Sequence, residues 1–272
     1  MGYKLVALDL DGTVLTYDEI LKPRVRQAIK NVQRKGIYVT IATGRRYART
    51  IPWARALGIQ IPIVVIDGAV VADPVSEQST LLNSFSLDVG QSIIAELEQA
   101  QLPYLVYPGE DHGEAILMKR ENWLNSRSLV YRYLQESVKT VEKLSANRSY
   151  VKIATIGDTK IIQPYLKHWE EKYSNELVMN VFSSPTQQHL GVEFLAKDCS
   201  KASGIQYVID SLSISFKEVV AIGDGINDIE LLKSAGFGVA MLNAPQEVRE
   251  VASYVTGSVE ESGVAQVLEE LF

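Results

Sequence analysis

From Leu5 to Leu10 every position except Asp9 is apolar, the near-continuous pattern of a parallel strand covered on both faces. Val25, Ala28, Ile29 and Val32 then fall at i, i+3, i+4 and i+7. They form one buried face of a helix whose first turn suits Pro23 and whose end suits Gly36. Apolar runs recur at Ile37–Ala42 and Ile63–Ile66, with a short helix expected over Arg46–Leu57, disturbed by Pro52. Strand, helix, strand, helix, strand at this spacing predicts right-handed βαβ units in a doubly wound sheet.

The periodicity changes after about Thr80. Asp88 is placed to cap a helix with Val89, Ile93, Ile94 and Leu97 on its apolar face. Short strands are expected around Tyr104–Tyr107 and Ala115–Met118, then a helix over Glu121–Gln135 and a strand over Val151–Ile156. A helix over Thr159–Tyr173 and strands at Leu177–Phe182 and Gly191–Leu195 follow. Successive strands, less continuously apolar than the first, predict an α+β module with one solvated sheet face.

The opening pattern returns near Lys201, where Ile205, Val208, Ile209 and Leu212 again mark one helix face. A strand Val219–Ile222, a helix reaching Ala235, a strand Gly238–Met241 and helices near Pro245–Ala252 and after Ser262 complete the chain. The expected fold class is α/β: a doubly wound, mostly parallel, Rossmann-like sheet core with an inserted α+β domain. Residues 1–82 and 190–272 are assigned to the core and 83–189 to the insertion.

Length and composition narrow the function. The chain has 272 residues, 46% hydrophobic and 22% charged, as in an ordinary soluble globular protein. A net charge of −6 at pH 7 argues against non-specific binding to nucleic acid or to an anionic membrane. Cys199 is the only cysteine, so no intrachain disulfide forms. No charged-then-apolar leader and no long apolar span stand out, which makes the cytoplasm the expected compartment.

In open α/β sheets ligands bind outside the carboxyl ends of the strands. The first strand end offers Asp9, Asp11, Gly12 and Thr13; the second offers Thr43, Gly44 and Arg45. The helix at Lys201 and the strand end Asp224, Asn227, Asp228 complete the rim. Residues two apart in an extended chain point the same way, so Asp9 and Asp11 are expected to emerge together and to repel. Asp9, Asp11 and Asp224 supply hard oxygens with no histidine or cysteine beside them, which suits Mg²⁺. Asp228 stands one helical turn beyond Asp224, where it either orients a metal ligand or, with Asn227, only caps a helix. Lys201, Arg45 and Arg46 open helices, where a cation opposes the dipole and a bound phosphate would relieve the conflict. The alternative for each is a solvated basic side chain. His112, His168 and His189 are scattered without ligand spacing, and Trp53, Trp123, Trp169 and the Tyr131–Tyr133 region read as packing.

These clusters resemble the four motifs of the haloacid dehalogenase-like phosphatases, most closely the Cof-type branch with a large cap inserted after the third core strand. The match is carried by Asp9-Leu10-Asp11-Gly12-Thr13, Thr43-Gly44-Arg45, Lys201 and Gly223-Asp224-Gly225-Ile226-Asn227-Asp228. Val239-Ala240-Met241 with Asn243-Ala244 is similar to the branch's C-terminal signature. The resemblance implies that Asp9 attacks phosphorus to form an aspartyl-phosphate. It implies that Asp11 protonates the leaving oxygen and then deprotonates the hydrolytic water. Mg²⁺ would be held by the Asp9 carboxylate, the Asp11 main-chain carbonyl and Asp224, with Asp228 counted among the metal-site residues. Thr43, Lys201, Asn227 and the Leu10 and Gly44 backbone would hold phosphoryl oxygens, with Arg45 added as a substrate contact.

Three positions depart from the branch. Asp67 stands where asparagine is usual before Gly-Ala, adding a negative charge near the substrate entrance; Ala202 replaces a common glycine, and Leu232 a frequent methionine. The expected function is a Mg²⁺-dependent phosphatase acting on small phosphorylated metabolites such as sugar phosphates, with the cap choosing the leaving group. A phosphomutase using the same intermediate is the nearest alternative, and a phospho-aspartate regulatory module a more distant one. Oligomeric state leaves no mark in the sequence.

Overall fold

The apolar runs become strands in the computed structural model, which describes residues 2–121, 138–142, 144, 149–183 and 188–272. The chain divides into two compact units, one of Met1–Leu82 with Ser200–Phe272, the other of Asn83–Cys199.

In the first unit β1 (Leu5–Leu8) is fully buried, and the helix Pro23–Arg34 turns Val25, Ala28, Ile29 and Val32 inward. Gly36 follows that helix at φ 79°, a left-handed position that glycine occupies without steric cost. Next come β2 (Tyr38–Ile41), the helix Tyr47–Ala56 with Pro52 inside it, and β3 (Ile63–Val65). β4 (Val70–Ala72) and β5 (Ser79–Leu81) follow as an antiparallel meander on β3.

In the second unit the helix Leu87–Gln99 is capped by the Ser86 side chain, which accepts from Val89 N at 3.4 Å. Asp88, expected as the cap, lies inside the first turn instead, where its charge still suits the helix dipole. The strands are β6 (Tyr104–Pro108), β7 (Leu117–Lys119), β8 (Lys139–Val141), β9 (Tyr150–Asp158), β10 (Leu177–Ser183) and β11 (His189–Ala196). They form one six-stranded sheet in the order β10-β11-β9-β6-β7-β8, with the helix Thr159–Tyr173 connecting β9 to β10. The expected solvated face does not show in the central strands: β6 is buried throughout, and β9 from Tyr150 to Gly157. The helix expected over Glu121–Gln135 falls, after its first residue, outside the described residues, and Trp123 and Tyr131–Tyr133 with it.

β11 also moves the expected boundary. Its residues pair antiparallel with both β9 and β10, from His189 opposite Asp158 to Ala196 opposite Leu177. Those ladder bonds tie 190–196 to the second unit's sheet, so the division falls at Cys199 and Ser200 rather than at 189 and 190.

The chain then re-joins the first unit through the helix Lys201–Ser211, capped by Ser200 and Ser203. β12 (Val219–Gly223), the helix Ile229–Ser234, β13 (Phe237–Ala240), the helix Gln246–Val251, β14 (Tyr254–Val255) and the helix Gly263–Leu271 complete it. The sheet order is β14-β13-β12-β1-β2, every neighbouring pair parallel, and Ala42 bridges in parallel to Val64 of β3. This is the α/β class with a mostly parallel core that the sequence predicts. Ile205, Val208 and Ile209 pack with Leu5, Ala7, Val64, Val219 and Ala221 in one apolar cluster. Gly204 lets that helix close in, since a Cβ there would meet Val64 Cγ1 at 2.3 Å. Among the described residues no helix is long and apolar enough to cross a membrane.

Candidate active site

β1 stops at Leu8, and the backbone turns at once. Leu10 O accepts from Leu15 N at 2.8 Å and from Thr13 N at 3.3 Å, and Gly12 sits at φ 77°. A side chain at Gly12 would strike Asp224, with Oδ2 only 2.2 Å from its Cβ position. Asp9 N still donates to Ile222 O of β12 at 3.0 Å, which carries the Asp9 carboxylate inward. The Asp11 carboxylate is about half exposed (48%), held by Arg45 through Nε at 2.7 Å and through Nη2. Asp9 and Asp11 therefore do not emerge as a repelling pair, because strand alternation ends before either residue is reached.

The charges that do crowd Asp9 come from the start of the helix Lys201–Ser211 and from the loop that follows β12. Lys201 Nζ donates to Asp9 Oδ1 at 2.7 Å and to Asp228 Oδ1 at 2.6 Å, with the lysine side chain only 1% exposed. Asp228 Oδ2 accepts from Asp224 N at 3.0 Å and from Gly225 N at 2.8 Å. One Asp228 oxygen thus closes the loop by accepting backbone N–H groups, and the other meets Lys201. The cation at this helix start is answered within the protein, by two carboxylates.

Asp224 is fixed from the opposite side. Thr13 Oγ1 donates to its Oδ1 at 2.8 Å, and Asn243 Nδ2 to its Oδ2 at 3.1 Å. Asn243 Nδ2 also reaches Gly12 O at 2.9 Å, and Tyr17 donates its hydroxyl to Asp224 Oδ2 at 3.4 Å. Thr13 and Asn243 carry a sequence signal in the motifs around them, but those motifs assign neither of them to the site. Tyr17 had none, being one exposed tyrosine in a loop.

One oxygen from each of Asp9, Asp224 and Asp228 lies within 4.8 Å of the others, and all three residues are buried. The electrostatics follow from that crowding. Burial pushes the Asp9 carboxyl well above the usual carboxylate range; Lys201 opposes the rise, and Asp228 and Asp224 add to it. Burial likewise raises Asp224, to about 6, against the hydrogen bond from Thr13. Burial alone would strip the charge from Lys201, but Asp228, Asp9 and Asp67 together hold its pKa above the ordinary lysine value. An all-oxygen set of buried carboxylates that resist ionising together fits a hard divalent cation.

Thr43 is buried, and its Oγ1 accepts from Arg45 N at 3.2 Å. Arg45 also meets Glu19, with Nη2 at 2.8 Å from Oε1. Asp67 is 2% exposed, so it does not stand at an open entrance. It follows β3 at φ 54°, its N donates to Thr43 O at 3.0 Å, and its Oδ1 accepts from Asn227 Nδ2 at 2.7 Å. Both its oxygens lie 3.1 Å from where a Cβ on Gly44 would be. Gly44 and Asn227 are thus joined through Asp67, beside the Asp9–Lys201–Asp228 chain.

The family model described as haloacid dehalogenase-like hydrolase matches residues 6–268. The 5-amino-6-(5-phospho-D-ribitylamino)uracil phosphatase YcsE of Bacillus subtilis is 29% identical over 271 residues, 97% of this chain and 94% of that protein. The pyridoxal phosphate phosphatase YbhA of Escherichia coli is 27% identical over 275 residues, 98% of each. Among solved structures, a haloacid dehalogenase-like hydrolase from Bacteroides thetaiotaomicron superposes with a TM-score of 0.80 at 25% identity, covering 99% of this chain and 100% of that one. The chain is an enzyme that belongs to the haloacid dehalogenase-like hydrolases, in the Cof-type branch whose motifs and large insertion it carries.

Proposed function

We propose that this protein is a Mg²⁺-dependent phosphatase that hydrolyses small phosphorylated metabolites, sugar phosphates or related phosphomonoesters, through an aspartyl-phosphate on Asp9. The observation that carries the reading is the buried chain Asp9–Lys201–Asp228 beside Asp224, at the carboxyl ends of two adjacent parallel strands. The phosphatase names of the relatives, which act on a ribityl phosphate compound and on pyridoxal phosphate, support the substrate class.

In this reading an Asp9 oxygen attacks phosphorus and the ester oxygen departs, taking a proton from Asp11. Water then attacks the aspartyl-phosphate, gives its proton to Asp11, and leaves inorganic phosphate with Asp9 restored. Asp11 serves both steps only after its carboxylate turns from Arg45, which makes that ion pair a resting arrangement. Lys201, Thr43, Asn227 and the Leu10 and Gly44 backbone are assigned to the phosphoryl oxygens, and Arg45 to the substrate. In-line transfer depends on such positioning. Asp9, Asp224 and the Asp11 carbonyl would hold Mg²⁺, with Asp228 keeping the Asp224 loop in place. When bound, the cation neutralises charge between carboxylates and phosphate. Residues 1–82 and 200–272 form the catalytic unit in this reading, and the inserted unit selects the leaving group. The cytoplasm is the proposed compartment.

The test is release of phosphate from p-nitrophenyl phosphate. Repeated turnover with Mg²⁺ is expected, lost on treatment with EDTA and regained when Mg²⁺ is restored. Turnover that survives in a demetallated preparation overturns the metal assignment. A single stoichiometric burst without turnover favours the regulatory module. Conversion of a sugar phosphate into its isomer without phosphate release favours the mutase.

A further inference from the structure

Asp67 is a buried carboxylate that the proposed reaction does not use. Its position is nonetheless fixed from several sides. The backbone is left-handed at φ 54°, anchored by its N–H on Thr43 O at 3.0 Å. Its Oδ1 takes Asn227 Nδ2 at 2.7 Å, and both oxygens lie against Gly44. Lys201 feels its charge as well as those of Asp228 and Asp9.

The charge count around this lysine is unusual for an anion site. Asp9, Asp67, Asp224 and Asp228 are buried together with one buried cation, Lys201. Gly44, Asn227, Thr43 and Lys201 are the groups assigned to phosphoryl oxygens; the Asp67 carboxylate bonds Asn227 and lies against Gly44, its N–H donates to Thr43 O, and its charge bears on Lys201. A fixed negative charge in a buried setting acts on a second anion with little screening. An asparagine has the same shape, tolerates the same left-handed backbone, and lacks that charge.

We propose that Asp67 weakens the site's hold on the phosphate anion, so that bound phosphate is released readily. The carboxylate repels the phosphoryl group from behind its Gly44 and Asn227 contacts. Because it accepts from the Asn227 amide, it also keeps that side chain in place. Two opposite effects are therefore built into one residue, and the direction of change on substitution separates them: loss of repulsion tightens phosphate, whereas loss of an Asn227 support loosens it. The inference rests on the phosphatase reading above.

The experiment measures binding of inorganic phosphate by calorimetry with Mg²⁺ present, and KM for p-nitrophenyl phosphate, in the wild-type protein and in Asp67→Asn. In the variant the phosphate dissociation constant and KM are expected to fall together by about tenfold or more, about 1.4 kcal/mol. Unchanged or weaker phosphate binding in a folded Asp67→Asn protein overturns the inference, leaving Asp67 as a support for Asn227. Should that variant not fold, Asp67→Gly, which the left-handed backbone also accommodates, removes the charge together with the Asn227 acceptor, so tighter phosphate binding in it supports the inference and unchanged or weaker binding overturns it. A wild-type protein that neither binds inorganic phosphate nor releases it from the ester overturns the phosphatase reading and the inference with it. One that does both, beside an unaltered variant, overturns the inference alone.

Discussion

Asp9→Asn is expected to remove phosphatase turnover, by roughly 10⁴-fold or more, while the protein stays folded. An amide oxygen can still accept from Lys201 Nζ where Asp9 Oδ1 now does at 2.7 Å. The Asp228 bond to Lys201 at 2.6 Å is untouched. The substitution also takes away a carboxylate that burial already resists ionising. Stability should therefore change little, and a near-normal circular dichroism spectrum with no turnover is the expected pair of results. Near-normal activity in the folded variant removes Asp9 as the nucleophile.

Lys201→Met has the largest expected effect on stability. Its side chain is 1% exposed and is the cation shared by Asp9 and Asp228. Removing one partner of a buried ion pair costs roughly 3–5 kcal/mol, because the remaining charge is left uncompensated. The loss should also depend on pH. Asp9 has a folded-state pKa raised above that of an unfolded chain, so its penalty is absent at low pH and grows as the pH rises through the folded value. Without Lys201 that folded value rises further, so the variant should melt closer to wild type at about pH 5 than at about pH 8. Thermal denaturation at the two pH values checks this, and equal destabilisation at both argues against a further rise of the Asp9 carboxyl on loss of Lys201. Mg²⁺ should restore part of the difference, since a ligand of the folded state alone stabilises it by mass action.

Much of this site was legible because its strongest signals are local. An apolar run ending in Asp9, a second ending before Asp224, and a lysine opening an amphipathic helix each mark a strand or helix end. Topology then does the rest, since β1 and β12 are parallel neighbours whose ends coincide. Asp11 was misplaced because a period of two holds only within a strand, and β1 ends at Leu8. Beyond it, the turn around Gly12 directs the carboxylate to Arg45, a partner 34 positions away. Contacts of this kind leave no periodic trace.

The role of Asn243 is hidden for the same reason. Asn243 reaches back to Gly12 from more than two hundred residues away, and only the loop after β13 brings it there. Asp67 is placed by the resemblance as a charge near an entrance, because only the motif and not the local backbone is visible in the sequence. Its left-handed backbone instead buries it against Gly44. The second unit's boundary was missed at β11, whose alternation in sequence does not reveal which sheet it joins; the pairing with β9 and β10 decides that.

The most direct measurement is mass spectrometry of the enzyme quenched in acid while turning over p-nitrophenyl phosphate with Mg²⁺. The peptide that contains Asp9 should carry the added mass of one phosphoryl group, and the Asp9→Asn protein should carry none. A phosphoryl group found on another residue, or sustained turnover with none at Asp9 under conditions that preserve acyl phosphates, refutes covalent catalysis by Asp9.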